Sequence, residues 1–197
     1  AKIPEFVEES TYGRTLKQAY NWAKKTKLQT VIQINAKVET NNVLDFVQMC
    51  EAKHNRMLVE LGNNIEQDIE NIRLIAIAGP SSSGKTTFCN RVRIELLSRG
   101  INPVMISMDD YYLEKEKISE IQNKPIDQLD LEHINCLDVE LFNKDLYDLI
   151  NGEEVTLPRF NFQTGKREVG RTIKVDSNSP IMIEGIHALN EKLTASI

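Results

Sequence analysis

The stretch Gly79-Pro80-Ser81-Ser82-Ser83-Gly84-Lys85-Thr86-Thr87 fits G-x-x-x-x-G-K-[ST] at every position. Each residue type has a job in that pattern. The glycines let the backbone turn tightly and aim its N–H groups inward at an anion. A helix starting at Lys85 would add its N-terminal dipole. Lys85 would reach the β- and γ-phosphates of a nucleoside triphosphate, and the Thr86 hydroxyl would hold Mg²⁺. Further along, Ser107-Met108-Asp109-Asp110-Tyr111-Tyr112 offers a pair of carboxylates. One of them could take a proton from an attacking hydroxyl. The same pair could equally cap a turn.

These residues need a scaffold, and the flanking sequence predicts one. Arg73–Gly79 is a nearly continuous apolar run, as expected of a strand buried on both faces. A helix is predicted over Lys85–Arg99, closed by Gly100. Pro103–Ser107 is a second short strand, so the acidic pair falls at a strand's carboxyl end, where open α/β sheets bind ligands. A helix is predicted over Asp138–Ile150, with Val139, Phe142, Leu146 and Leu149 on one face. EEVTLP and RTIKV read as strands flanking FNFQTGK, a hairpin-like excursion. Pro180–Gly185 is a third buried strand. Strand and helix alternate as in a parallel α/β sheet.

The first 70 residues read differently. TLKQAYNWAKKTKLQ predicts a short helix. Thr30–Ala36 is β-branched and alternating and predicts a strand. A long helix follows, capped by Asn41 or Asn42, with Gly62-Asn63-Asn64 as a candidate break. His54 falls on its apolar face and reads as a packed residue, because no metal-ligand spacing accompanies it. Lys24–Lys27 reads as a solvated helix end.

Composition sets outer limits. Hydrophobic residues make up 41% and charged residues 27%, enough apolar content for a core. The net charge of −5 argues against DNA binding. Cys50, Cys89 and Cys136 are widely spaced and read as cytosolic thiols. No transmembrane run is present. After the phosphate loop there is no D-x-x-G or N-K-x-D, so a GTPase switch is not indicated. The N-terminus lacks an initiator Met and EKLTASI lacks a stop signal, so both ends are expected to be cut.

GPSSSGKTT, SMDDYY, DLEHINCLD, LPRFNFQTGKR and IMIEGIHAL, in this order, resemble the uridine kinase/phosphoribulokinase family of P-loop kinases over Arg73–Ile197. The resemblance implies an α/β fold, a three-layer P-loop NTPase core with a parallel sheet. It implies ATP and Mg²⁺, a cytoplasmic transferase, and a sugar hydroxyl as acceptor, usually a pyrimidine nucleoside 5′-hydroxyl. Asp109 aligns with the catalytic base and Tyr112 with an aromatic residue of the nucleoside pocket. Glu132 stands where an aspartate holds the ribose hydroxyls, followed by His133. Phe160 stands where an aromatic packs on the base, and Arg167 matches an arginine of the same excursion. Glu184 takes the acidic place that holds Mg²⁺ beside Thr86. Gly165 stands where pyrimidine kinases carry a base-reading histidine, a departure that weakens pyrimidine specificity. The family's further helix, strand and Arg-rich lid are absent, so the resemblance implies a piece that is inactive alone.

The expected organisation is therefore a small α/β or helical N-terminal appendage over 1–70, ending in the long helix, and a P-loop kinase core over 71–197. The catalytic candidates are Asp109 and Lys85. Gly79 to Thr87 hold the nucleotide, and Thr86 and Glu184 hold the metal. The expected partner is a small nucleoside or sugar, with neither membrane nor DNA, and with room for a homo-oligomer. Two rival functions stand beside this one: a P-loop kinase for another sugar or phosphosugar, and a catalytically silent nucleotide sensor.

Overall fold

The computed structural model describes residues 10–40 and 43–193. The chain divides into two compact units, Ala1–Arg56 and Met57–Ile197.

In the first unit, helix α1 covers Ser10–Thr26 and helix α2 covers Val31–Glu39. Helix α3, Val43–Gln67, begins here and ends in the second unit. The strand expected over Thr30–Ala36 is a helix instead. Its start is fixed by a capping box: the Thr30 hydroxyl accepts from the Gln33 N–H, and the Gln33 side chain accepts from the Thr30 N–H, both at 3.3 Å. Two orphan amides are satisfied locally, and that outweighs a weak β-propensity. The expected cap at Asn41 or Asn42 lies outside the described residues, as do the start of AKIPEFVEES and the last four residues of EKLTASI.

Nor does Gly62 break α3. The helix runs through it, and a Cβ there would stand 2.8 Å from Glu95 Cγ and 2.6 Å from Arg99 Nε. The glycine lets α3 approach the next helix closely. Arg99 closes that contact with ion pairs to Glu95 at 2.7 Å and Glu66 at 2.5 Å.

The second unit is built on a parallel sheet. Strands β1 (Leu74–Ala78), β2 (Val104–Ser107) and β5 (Ile181–Gly185) lie in the order β1-β5-β2. Register pairs Ala78 with Gly185 and Ser107 with Glu184, so the three carboxyl ends finish level. β5 is central and fully buried. Alternation sends Ile181 and Ile183 into one core with Phe142, Leu146 and Leu149 of helix α6 (Val139–Ile150). Met182 points the other way, among Cys89, Val92 and Leu96 of helix α4 (Lys85–Ser98) and Leu58 and Ile65 of α3. Burying each such side chain contributes about 1.5–3 kcal/mol. Helices therefore cover both faces of the sheet, the three-layer arrangement expected.

Strands β3 (Glu154–Asn161) and β4 (Lys166–Lys174) form an antiparallel hairpin with a bulge between Thr156 and Pro158. Helix α5, Lys115–Gln122, follows the acidic turn.

Candidate active site

The loop between β1 and α4 takes the shape its sequence requires. Gly84 has φ +84°, a left-handed conformation that glycine adopts without steric cost. The Ser83 N–H bonds to the Pro80 carbonyl at 3.2 Å and closes the turn. α4 begins at Lys85, so its unpaired first-turn amides and positive dipole end face the loop.

The ends of β5 and β2 meet this loop through one carboxylate. Thr86 Oγ1 donates to Glu184 Oε2 at 3.2 Å, and Ser107 Oγ donates to Glu184 Oε1 at 2.9 Å. Glu184 is 5% exposed and has no ion pair among the described residues. A buried carboxylate flanked by hydroxyls is a hard-oxygen donor set. It fits Mg²⁺, which takes few protein oxygens and fills its shell from phosphate and water. Among the described residues no cluster of His, Cys, Asp and Glu forms an all-protein metal cage.

After β2 the chain makes a 3₁₀ turn over Met108–Tyr111. It presents Asp109 half-buried. Burial pushes the Asp109 carboxyl above the usual range; Lys85 opposes this, and Glu184 and Asp110 add to it. Asp109 thus feels the charges of both Lys85 and Glu184. A carboxylate so placed is a stronger base than one in water.

Asp110 and Tyr111 support the turn. Asp110 Oδ1 accepts from the Phe160 N–H at 3.2 Å. The buried Tyr111 hydroxyl donates to the buried Asp145 at 3.1 Å.

The structure brings Tyr112 and Phe160 together with a residue that sequence reasoning missed, Phe162. Ring centroids are 5.8 Å apart for Tyr112–Phe160, 5.0 Å for Phe160–Phe162 and 6.1 Å for Tyr112–Phe162. Phe162 is 67% exposed, so this aromatic wall is open on one side. The signal was present: in an extended chain, residues two apart share a face.

Glu132 and His133 are exposed on the loop before α6. His187 Nε2 lies 2.8 Å from the Glu132 carbonyl, and the Tyr112 hydroxyl donates to the Leu131 carbonyl at 3.0 Å. His133 Nδ1 accepts from the Asn135 N–H, capping a 3₁₀ turn. Arg167 is committed to a different set of partners. It pairs with Asp138 at 2.9 Å and donates to the Tyr111 and Tyr112 carbonyls, both at 3.2 Å. Its contacts are with the turn that carries Tyr112.

A cleft of about 650 Å³ opens between the sheet end and the hairpin. Thr86, Ser107, Asp110 and Glu184 line it from the sheet, and Arg159 and Arg171 from the hairpin.

A uridine kinase of Ureaplasma parvum is 29% identical over 124 residues, covering 63% of this chain and 58% of its own length. The chain thus spans less than two thirds of that relative. A protein of Arabidopsis thaliana named inorganic pyrophosphatase TTM2 is 34% identical over 129 residues, 66% of this chain but 17% of that one. A solved structure described as a possible uridine kinase from Bacillus stearothermophilus superposes with a TM-score of 0.58 at 23% identity. It covers 73% of this chain and 78% of that one, and shares the fold. The model of the phosphoribulokinase/uridine kinase family matches residues 74–196, well over half of the sequence, and the chain belongs to that family.

Proposed function

We propose that this chain phosphorylates the 5′-hydroxyl of a nucleoside at the expense of ATP, with uridine and cytidine as the first acceptors to test. The observation that carries the reading is the junction of Thr86, Ser107 and Glu184 beside Asp109, at the level ends of three parallel strands. Family membership and the uridine kinase among its relatives support it.

The residues divide the work. The amides of Gly79 to Thr87 and the Lys85 ammonium hold the β- and γ-phosphates. Thr86 and Glu184 hold Mg²⁺, which when bound neutralises charge on the transferring phosphoryl group. Asp109 accepts the proton of the attacking hydroxyl. Lys85 opposes the burial that raises that carboxyl. Tyr112, Phe160 and Phe162 stack on the base, Glu132 and His133 take the ribose end, and Arg167 steadies Tyr112. In this reading residues 71–197 are the kinase core and 1–70 an appendage. ATP and nucleosides are cytoplasmic solutes, which supports a cytoplasmic location.

A second reading has its own observation. Arg159 and Arg171 line the acceptor cleft, and two guanidiniums there suit a phosphosugar better than an uncharged nucleoside.

The test is incubation of the protein, in its natural sequence context, with Mg-ATP and pools of nucleosides and sugar phosphates. Products are identified by mass. A new nucleoside monophosphate supports the first reading, and a sugar bisphosphate the second. ATP binding without any phosphorylated product rejects both and leaves a nucleotide sensor.

A further inference from the structure

A second cleft, of about 440 Å³, lies at the outer edge of β2 between α4 and the hairpin. Its polar lining is Asn90, Arg93, Arg171 and Lys174, over a floor that includes Met105 and Ile173. No carboxylate lines it. In a chain of net charge −5, three cations in a cleft without an acid are not balanced by a chance neighbour. Among the described ion pairs none involves Arg93, Arg171 or Lys174. Glu154 is the cross-strand partner of Lys174 in register but forms no described ion pair with it.

The groups are partly pre-positioned. Arg171 donates to the Met105 carbonyl, which ties its guanidinium to the cleft lining and leaves its other N–H groups free of described partners. Asn90 is held by a bond from its amide to the Thr86 carbonyl at 3.1 Å. Arg93 lies one turn further along α4. A guanidinium fork matches phosphate oxygens bidentately, and each charge-assisted bond is about twice as strong as a neutral one. A cleft of this size admits a small anion rather than a length of nucleic-acid backbone.

We propose that this cleft binds a small phosphoanion, a phosphate or diphosphate group carried by a metabolite, at a site separate from the phosphate loop. The cleft shares Arg171 and Met105 with the acceptor cleft, so the proposal rests on Arg93 and Lys174, which line this cleft alone. Because Asn90 is bonded to the Thr86 carbonyl, occupancy is expected to alter nucleotide affinity at the loop.

The probe is inorganic pyrophosphate, followed by calorimetric titration without added metal. The wild type is expected to show two binding sites. Lys85→Ala removes the loop site and keeps the cleft. Arg93→Ala/Lys174→Ala does the reverse, weakening the cleft at least tenfold. Lys174→Glu, at an exposed strand end, gives the same loss without altering α4. A wild type with one site, abolished by Lys85→Ala, overturns the proposal, and so does a double variant that titrates like the wild type. Arg93→Ala/Lys174→Ala that loses affinity for RNA but not for pyrophosphate also overturns it and points to nucleic acid. Failure of the loop site alone, with the cleft intact, counts against the kinase reading instead.

Discussion

The Asp110 carboxylate accepts the backbone N–H of Phe160 at 3.2 Å, across fifty residues of sequence. One end of this bond belongs to the turn that carries Asp109. The other belongs to the hairpin that carries the aromatic wall. The group proposed to take the proton and the rings proposed to take the acceptor are thereby held in one geometry.

Asp110→Ala breaks that tie. A hydrogen bond to a charged acceptor contributes about 1.5–3 kcal/mol. The acceptor KM is expected to rise by roughly 10- to 100-fold if that energy is lost from acceptor binding, with ATP affinity little changed. Asp110→Asn keeps an oxygen acceptor and should restore most of the KM. It also removes a negative charge that raises the Asp109 carboxyl. The acid limb of its kcat profile should therefore move to lower pH. Steady-state kinetics across pH checks both; equal effects of Ala and Asn would sink the tie.

Asp109→Asn should cost about 10²- to 10⁴-fold in kcat, the usual worth of a positioned base. ATP affinity should stay close to wild type. Stability should move the other way. The folded state raises the Asp109 carboxyl, chiefly by burial. Folded protein then holds more protons than unfolded protein between the ordinary and the raised value. Stability therefore falls as pH rises through that window. The neutral amide avoids this loss, so the variant's melting temperature should exceed wild type near neutral pH and not at acid pH. A lower melting temperature at neutral pH would contradict the burial argument.

How much of this was readable beforehand depended on how local the cause was. The phosphate loop was legible because Gly84 and Lys85 act through backbone geometry that the sequence itself dictates. Glu184 came from the family resemblance alone; its bonds to Thr86 and Ser107 follow from the register of the strands, which the sequence does not show. Residues 30–36 misled because β-branched side chains were weighed above the Thr30–Gln33 box. Helix α5 was not anticipated; its only buried side chain is Ile118, so its apolar signal is thin. Ser107 and Phe162 were missed, and Asp110 was read only as one of an acidic pair, because their roles depend on partners far away in sequence. Arg167 was named from the resemblance as a substrate contact, and its engagement with Asp138 could only come from packing.

Phe162→Ala tests the aromatic wall. Base stacking on an aromatic ring is worth about 1–3 kcal/mol. If the acceptor carries a base, KM should rise about 5- to 100-fold on that scale. Phe162 is 67% exposed, so thermal stability should hardly change. An unchanged KM with an active enzyme would favour the phosphosugar reading, whose acceptor has no ring to stack.

Tyr111→Phe tests what holds the acidic turn down. The substitution keeps the ring that packs edge-on against Phe142 at 5.1 Å. It removes only the hydroxyl that donates to Asp145, which is 3% exposed. Leaving that carboxylate without its donor should cost about 1–3 kcal/mol. The cost should depend on pH in a definite direction. Burial raises the Asp145 carboxyl, and the Tyr111 bond partly lowers it again. Without the bond it rises further, and the folded state binds its proton more tightly than the unfolded state does. The deficit is then fully present near neutral pH and shrinks as pH falls through the raised value. Denaturant midpoints of wild type and variant, measured from neutral to acid pH, should converge toward the acid end. A gap that stays constant would mean the hydroxyl acts through packing and not through the charge of Asp145.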